Sequence, residues 1–340
     1  MKIRACLASL AAALFLAALP APVAAQCDPD GEVQFVCGPA DPEDLAAVPE
    51  SPWVIVSSMA NPGQLYATDN RDHSSRPIFP LDTSAPRHDM ATYDACPGPD
   101  TTGFQPHGLG LRAGADGMHT LYVVRHGSRE AVEVFEVDAS GPSPTATWIG
   151  CAVAPEGVGL NSVAALPGGG FVATNFQRDA GELWEWQPGA GWSQVPGSET
   201  AGPNGIEASP DGRWLYIGGW GTQSLIRLSR GRTPVETDSV DVGFHIDNVH
   251  YAPDGSLLAA GHAGSGPDSI FACLGQGACD GVTSRVARID PESLTAEEIV
   301  HYPSNDLVIL GTVGIQVGDE IWVGGVGGGQ RIARFPASSR

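Results

Sequence analysis

The sequence predicts an all-β protein, and specifically a six-bladed β-propeller. Its clearest unit is Gly202–Gly219, where two short strands flank the turn residues Pro210-Asp211-Gly212. Related units begin near residues 44, 107, 161, 204, 248 and 313, at intervals of 43 to 65 residues. A repeat of roughly 40–50 residues that carries several strands is typical of a propeller, and the two longest intervals leave room for loop insertions. Six units predict six blades, within the usual range of about four to eight.

Each unit pairs a strand that starts with polar residues and a second strand that is mainly apolar. In chain order the pairs are Glu43–Ala47 with Trp53–Val56, His107–Leu111 with Leu121–Val124, Asn161–Ala165 with Phe171–Thr174, Asn204–Ala208 with Trp214–Ile217, Asp247–Tyr251 with Leu257–Ala260, and Thr312–Gln316 with Glu320–Val323. The aromatic and β-branched residues of the second strands favour burial. Gly205 follows Asn204 and has no side chain, which predicts that the backbone approaches another group closely at this point.

The first 25 residues are predicted to be a signal peptide. Lys2 and Arg4 precede the apolar run Ala5–Ala18, and Val23-Ala24-Ala25 matches a cleavage site. Prolines after the run disfavour the alternative of a retained membrane helix. No other stretch approaches the roughly 18 apolar residues that a membrane span needs. We therefore expect residues 26–340 to form one propeller domain, periplasmic or secreted and free of the membrane after cleavage.

The composition excludes several function classes. The formal net charge is −21, from 18 Lys and Arg against 39 Asp and Glu, which disfavours nucleic acid as a partner and favours divalent cations. Lys2 is the only lysine, so the mature chain cannot use a lysine nucleophile. The sequence has no G-x-S-x-G, no H-E-x-x-H and no phosphate-binding glycine loop. We expect a monomer that acts on a small molecule.

Six cysteines remain once Cys6 leaves with the signal peptide, and an even number in an exported chain favours disulfides. Cys27 with Cys37 and Cys273 with Cys279 close short loops, which would leave Cys96 with Cys151. The alternative is that some are buried thiols. A separate segment, Asn70–Asp94, is rich in His and Pro and predicts an irregular loop that shapes the entrance of a site.

The polar strand starts are the candidate functional residues. Because the innermost strands of all blades surround one channel, these side chains are expected to meet at one end of it. Two carboxylates and three amide oxygens there suit Ca²⁺, which takes six to eight oxygen ligands at about 2.3–2.6 Å. The predicted ligands are Glu43, Asn161, Asn204, Asp247 and Asn248. Five ligands leave a position for water or substrate. Taken singly, each Asn-Gly or Asp-Asn pair is more typical of a turn.

Three histidines accompany this ring. His107 starts a strand, while His126 and His262 each end one. A neutral imidazole has a pKa near 6.5 and can take a proton from water at neutral pH. We predict that one of them is this base, that a second orients it or shares its proton, and that His262 lies in the substrate pocket. The alternative for each is a hydrogen-bonded core histidine.

Several segments resemble the paraoxonase/arylesterase family, in a propeller superfamily that also contains gluconolactonase-type (senescence marker protein) and strictosidine synthase-type proteins. The similarity runs in order from about Glu43 to the end of the chain. It is carried by Phe104–Leu109, Leu121–His126, Val132–Val137, Leu160–Ala164, Phe171–Asn175, Asn204–Ile206, Pro210–Gly212, Asp247-Asn248 with His262, and Leu310–Val313.

The resemblance implies a calcium ion on the five predicted ligands and a catalytic pair at His107 and His126. It also implies a second, structural calcium ion at Asp44, the backbone of Leu109 and the position of Ser162. The family has an aspartate at that last position, so loss of the carboxylate weakens this second site. The family's disulfide between its terminal regions cannot form in the same way, because no cysteine follows Cys279.

Together these observations predict an exported, calcium-dependent hydrolase of lactones or aryl esters. Two alternatives stay open. A sugar-lactone hydrolase of the gluconolactonase type would need a polar, arginine-lined mouth. A non-catalytic propeller would bind a ligand or partner and use the metal for stability alone.

Overall fold

A computed structural model of the chain describes residues 27–83, 85–276 and 279–337. These residues form six four-stranded antiparallel sheets, which confirms the predicted all-β, six-bladed propeller. The expected signal peptide, residues 1–25, lies outside the described residues. In the part of the chain that is described, no helix is long and apolar enough to cross a membrane.

The first five blades each consist of four consecutive strands. They are β2–β5 (Pro42–Ala47, Trp53–Ser58, Gln64–Asp69, Ser75–Phe79), β6–β9 (Gln105–Arg112, Met118–His126, Ala131–Asp138, Thr145–Val153), β10–β13 (Leu160–Ala165, Phe171–Asn175, Glu182–Gln187, Gly191–Gln194), β14–β17 (Pro203–Ala208, Trp214–Gly219, Ser224–Ser229, Thr237–Asp241) and β18–β21 (His245–Tyr251, Leu257–Ala263, Thr283–Ile289, Ala296–Tyr302). The first strand of each blade contacts the first strands of the neighbouring blades, so these strands surround the central channel.

The sixth blade closes the ring with strands from both ends of the chain. It contains β22 (Gly311–Val317), β23 (Glu320–Gly325), β24 (Arg331–Pro336) and, as its outermost strand, β1 (Gln34–Cys37). Strand β1 pairs antiparallel with β24, with Gln34 opposite Arg334. Backbone hydrogen bonds therefore join the start of the described chain to its last blade. This closure was not predicted, because β1 lies before the first repeat.

All six inner strands share a feature that positions the site. Each one shifts register against its neighbour close to its first residue, between Pro42 and Asp44, Pro106 and Leu109, Leu160 and Val163, Pro203 and Ile206, Ile246 and Val249, and Gly311 and Val313. Such β-bulges redirect side chains and are frequent next to functional sites. The predicted polar strand starts lie at these bulges.

A glycine beside one bulge lets two inner strands approach each other. A Cβ on Gly205 would lie 2.3 Å from the backbone oxygen of Asp247, which is closer than real Cβ contacts. This confirms the close approach predicted from the Asn204-Gly205 pair. Any larger residue at this position would push the fourth inner strand away from the fifth, and Asn204 with it.

The three predicted disulfides are present: Cys27–Cys37, Cys96–Cys151 and Cys273–Cys279. The last one lies in the connection between β19 and β20, which also contains the helix α1 (Pro267–Phe271). Disulfides of this number are typical of proteins in an oxidising compartment.

The interpretation of Asn70–Asp94 as a loop over the site is wrong in part. The segment contains β5, the outermost strand of the first blade. Tyr93, near its end, packs against Gly150 and stacks on Trp186 at a centroid distance of 5.3 Å. These contacts are made with the outer strands of neighbouring blades. Ile270, Phe271 and Leu274, from the connection between β19 and β20, lie at the channel end instead.

Candidate functional site

A cavity of about 170 Å³ lies at the end of the channel where the inner strands begin. Six bulge residues, one from each blade, line it: Glu43, His107, Asn161, Asn204, Asp247 and Thr312. The structure thus brings together four of the five predicted ligands and His107, while the fifth predicted ligand, Asn248, contacts Glu43 and is not part of the lining. Thr312 was missed as a site residue, although its place at the start of the sixth repeat is the signal that identifies it.

Glu43 is the most connected member of this ring. Its side chain is 1 % exposed, and its Oε1 accepts a hydrogen bond of 2.8 Å from Nδ2 of Asn248. Nε2 of His107 lies 3.4 Å from the same oxygen. The hydroxyl of Thr312 donates to the backbone oxygen of Glu43 at 2.7 Å. These contacts hold one carboxylate at the junction of four blades.

Four buried oxygen atoms at this end have no hydrogen-bond partner among the described residues: Glu43 Oε2, Asn161 Oδ1, Asn204 Oδ1 and Asn248 Oδ1. A buried acceptor without a partner costs about 1–3 kcal/mol, so four of them together require an explanation. Carboxylate and amide oxygens are the ligands that a hard divalent cation takes. The donor set therefore fits calcium.

Groups of three or more His, Cys, Asp or Glu side chains arranged to hold a metal do not occur in the described ranges. The ring differs from such groups in its chemistry, because three of its five predicted ligands are asparagines. An all-oxygen site of this composition suits calcium better than a transition metal.

The electrostatics of the cavity indicate uncompensated negative charge. Burial raises the pKa of Asp247 well above its usual range, and the carboxylate of Glu43 raises it further. Burial disfavours the charged form of His107, but Glu43 and Asp247 outweigh this and raise the pKa of His107 to about 9. A cation among these groups would favour the ionised form of Asp247 and so lower its pKa, and it would also lower the pKa of His107.

His107 is the first member of a chain of polar contacts that leads away from the cavity. Its Nδ1 lies 2.8 Å from Nε2 of His126, and Nδ1 of His126 lies 2.8 Å from Oε2 of Glu130. The backbone N–H of Leu160 donates to Oε1 of Glu130 at 2.7 Å. The structure therefore brings the two predicted histidines together. Glu130 was not predicted, and its place four residues after His126 was the available signal.

Asp44 and Leu109, the residues of the possible second metal site, lie beside the ring rather than in the cavity. Asp44 is fully buried, and its Oδ1 lies 2.6 Å from Nε2 of His250. Its Oδ2 accepts the backbone N–H of Leu109 at 2.7 Å. Both carboxylate oxygens thus have protein partners. These contacts favour one ion over two, and the second ion stays a prediction.

His262 lines the cavity, where it was expected, but its ring nitrogens are both engaged. The indole N–H of Trp220 donates to Nε2 of His262 at 2.9 Å, and Nδ1 lies 3.3 Å from the backbone oxygen of Gly311. Burial lowers the pKa of His262 to about 4, so the ring is neutral. His262 holds Trp220 in place and has no free nitrogen with which to act as a base.

The remainder of the cavity lining is apolar. It consists of Met59, Phe176, Trp220, Ile270, Phe271, Leu274, Leu310 and Val326. Ile270, Phe271 and Leu274 come from the connection between β19 and β20. Among the described residues that line the cavity, none is an arginine or lysine. The shape and chemistry suit an apolar group next to one polar, reactive centre.

A larger cavity, about 500 Å³, opens where the inner strands end, with Glu207 and His250 in its lining. None of the four unpartnered oxygens lies there. The candidate site is therefore at the beginning of the strands.

The fold and this ring define the class as a six-bladed β-propeller with a polar site at one channel end. Three solved structures are similar over 89 % of this chain. A gluconolactonase from Xanthomonas campestris has 14 % sequence identity, 89 % of its own chain covered and a TM-score of 0.55. A luciferin-regenerating enzyme has 12 % sequence identity, with 94 % of its own chain covered and a TM-score of 0.53. A streptogramin B lyase has 11 % sequence identity, with 96 % of its own chain covered and a TM-score of 0.51. These identities establish a shared fold and no more.

No protein-family model matches the sequence, and a search of curated proteins found no significant match. The expected propeller fold is borne out by the similar structures. The paraoxonase/arylesterase branch specifically stays a prediction.

Proposed function

We propose that this protein is a calcium-dependent hydrolase of lactones or aryl esters, exported and active as a monomer. The observation that carries the proposal is a set of four buried oxygens at the channel end that lack a partner among the described residues. Three of them belong to residues that line the cavity together with His107, and the fourth belongs to Asn248, which contacts Glu43. The similar gluconolactonase and luciferin-regenerating enzyme lend support at the level of fold.

The ion would be held by Glu43, Asn161, Asn204, Asp247 and Asn248. When bound, calcium acts as a Lewis acid that polarises the substrate carbonyl and stabilises its developing negative charge. The proposal requires one ion. A second ion at Asp44 would have to displace His250 from that carboxylate.

His107 would act as the general base. Its Nε2 faces the cavity side, next to Glu43, and its Nδ1 is held by His126. The carboxylates around it raise its pKa to about 9, so the ring is protonated at neutral pH while their charge is uncompensated. A bound cation that compensates the negative charges of Glu43 and Asp247 would lower the pKa of His107 towards the range in which the ring accepts a proton from water.

The apolar lining favours substrates with an alkyl or aryl group. A sugar lactone carries several hydroxyl groups that would lose their hydrogen bonds to water against Phe271, Ile270 and Leu274, at a cost of about 1–3 kcal/mol each. The alternative of a gluconolactonase activity has the similar structure from Xanthomonas campestris in its favour. The apolar lining of the cavity argues against a gluconolactonase activity.

The test is a substrate panel with and without a calcium chelator. It should contain lactones of increasing alkyl length, phenyl acetate and gluconolactone. We expect hydrolysis of the apolar substrates, loss of activity with chelator and recovery with added calcium. Hydrolysis that the chelator leaves unchanged would contradict the metal role. Preference for gluconolactone would favour the sugar-lactone alternative, and calcium binding without any hydrolysis would favour a binding protein.

A further inference from the structure

We propose that Glu130 is a positioning residue that sets the proton arrangement of His126 and His107, and so leaves Nε2 of His107 free to accept a proton. The consequence for activity rests on the proposed hydrolase function. The arrangement itself rests only on the contacts of these three side chains.

Glu130 is oriented by the backbone of the next blade. It lies in the turn before β8, and its Oε1 accepts the backbone N–H of Leu160 at 2.7 Å. Leu160 starts β10 and is buried, so this donor has a fixed position. The second oxygen, Oε2, is thereby directed at Nδ1 of His126, 2.8 Å away. Glu130 thus connects the second blade to the third behind the histidine pair.

The donors and acceptors around the two rings determine where the hydrogens are. An ionised carboxylate can only accept, so Nδ1 of His126 must carry a hydrogen. In a neutral ring Nε2 of His126 is then an acceptor, and Nδ1 of His107, 2.8 Å away, must donate to it. The neutral His107 ring therefore has its lone pair on Nε2. That nitrogen is the one on the side of Glu43 and the cavity.

The opposite arrangement would disable the base. Without a carboxylate at position 130, His126 could carry its hydrogen on Nε2 and donate it to Nδ1 of His107. The hydrogen of His107 would then lie on Nε2, and this nitrogen could not take a proton from water. An outer carboxylate that selects one histidine tautomer has the same physical role in serine proteases.

In the proposed reaction Nε2 of His107 takes a proton from water, and the water oxygen forms a bond to the acyl carbon. The acyl C–O bond then breaks, its electron pair stays on the leaving oxygen, and that oxygen takes the proton back from Nε2. While His107 carries the proton, its Nδ1–H donates to His126. Glu130 lies at the far end of this hydrogen-bond chain as the compensating charge.

The test is Glu130→Gln, which keeps the shape and removes the charge. The amide oxygen is required by the N–H of Leu160, so the amide NH₂ faces Nδ1 of His126 and reverses both tautomers. We expect kcat to fall roughly 10²- to 10⁴-fold, the range for loss of a general base and for a reversed tautomer in the serine-protease triad, with KM within about twofold. Glu136→Gln is the matched control, because Glu136 lies on β8, the strand that follows Glu130, and pairs with Arg87 at the surface.

A second readout does not depend on activity. Ring-nitrogen NMR of histidine-labelled protein, at a pH at which both rings are neutral, reports which nitrogen of each ring carries the hydrogen. Signals are assigned by loss in His126→Gln and His107→Gln. We expect a hydrogen on Nδ1 of both rings in the wild type and on Nε2 in Glu130→Gln.

The proposal is overturned if wild-type His126 carries its hydrogen on Nε2, or if Glu130→Gln changes neither the ring signals nor kcat. If the variant does not fold, the wild-type assignment alone decides. If the wild type hydrolyses no substrate of the panel, the proposed function fails, while the ring signals still decide the role of Glu130.

Discussion

The side-chain amide of Asn248 donates a hydrogen bond of 2.8 Å to Oε1 of Glu43, across 205 residues of sequence. The bond connects the fifth inner strand to the first. Each residue keeps one buried oxygen, Oδ1 and Oε2 respectively, that has no partner within residues 27–83, 85–276 and 279–337. A carboxylate and an amide from distant repeats are thus oriented before any ligand arrives. Preorganisation of this kind reduces the cost of binding.

Calcium should stabilise the fold through the ring. At a free concentration 100 times its Kd, one ion adds about 2.7 kcal/mol to the free energy of unfolding. We expect a calcium-dependent rise of Tm in the wild type that is much smaller in Asn204→Ala, since a buried oxygen ligand is removed. Asn70→Ala, a half-exposed asparagine outside the cavity, is the control. An equal rise in Asn204→Ala would contradict the ligand assignment.

Replacement of His107 should remove turnover and leave the fold intact. A general base contributes about 10²–10⁴-fold, so His107→Ala is expected to lower kcat by that factor on the best lactone or aryl ester. Calcium-dependent Tm shifts should persist. His301→Ala, at a half-exposed histidine on β21, should retain full activity. Activity that survives both His107→Ala and His126→Ala would show that the base is another group.

Substrate choice should depend on the apolar residues between β19 and β20 that line the cavity. Phe271 lies 5.0 Å from Trp220 between ring centroids and lines the cavity. Loss of a large apolar side chain costs about 1.5–3 kcal/mol of contact, or roughly 10- to 100-fold in kcat/KM. Phe271→Ala should show this loss for long-chain lactones and little change for an unsubstituted one. Leu81→Ala, at an exposed apolar residue elsewhere, is the control. Equal losses for both lactones would argue against an acyl-binding role.

The contact between His250 and Asp44 should contribute strongly to stability. Asp44 is fully buried, so His250→Ala leaves a buried carboxylate without its closest partner. Removal of one member of a buried pair costs about 3–5 kcal/mol. Urea unfolding should show a decrease of this order, whereas His301→Ala, which breaks an exposed contact with Glu298, should change stability by less than about 1 kcal/mol. A decrease as small as that of His301→Ala would mean that His250 does not compensate Asp44.

Acid should destabilise the protein in part through His262. The folded-state pKa of His262 is about 4, below the unfolded value near 6.5, so the unfolded chain takes up the proton first. The stabilisation is complete above about pH 6.5 and is lost as the pH falls towards 4. His262→Gln can keep the contacts with Trp220 and Gly311 but does not titrate in this range. Between pH 7 and 4.5, with chelator present, the wild type should lose about 2–3 kcal/mol more than this variant. Equal losses would show that His262 is accessible to protons in the folded state.

Much of the fold could be predicted from local sequence. The turn Pro210-Asp211-Gly212 and the recurring apolar second strands specify hairpins through short-range chemistry, and six hairpins at blade spacing imply the propeller. Spacing also indicated the three disulfides. Strand β1 could not be predicted in the same way, because its four residues acquire a partner only when the ring closes on β24.

The candidate site, like the fold, could be predicted from the sequence only in part. The sequence by itself determined which polar residues start the inner strands, since Glu43, Asn161, Asn204 and Asp247 stand out at repeat spacing. Only the tertiary structure decided which of their atoms lack partners, that Glu130 lies behind His126, and that His250 compensates Asp44. The physical reason is that hydrogen bonds between blades join residues far apart in the chain. Their geometry depends on how the six bulges are packed around the channel, and no single repeat contains that information.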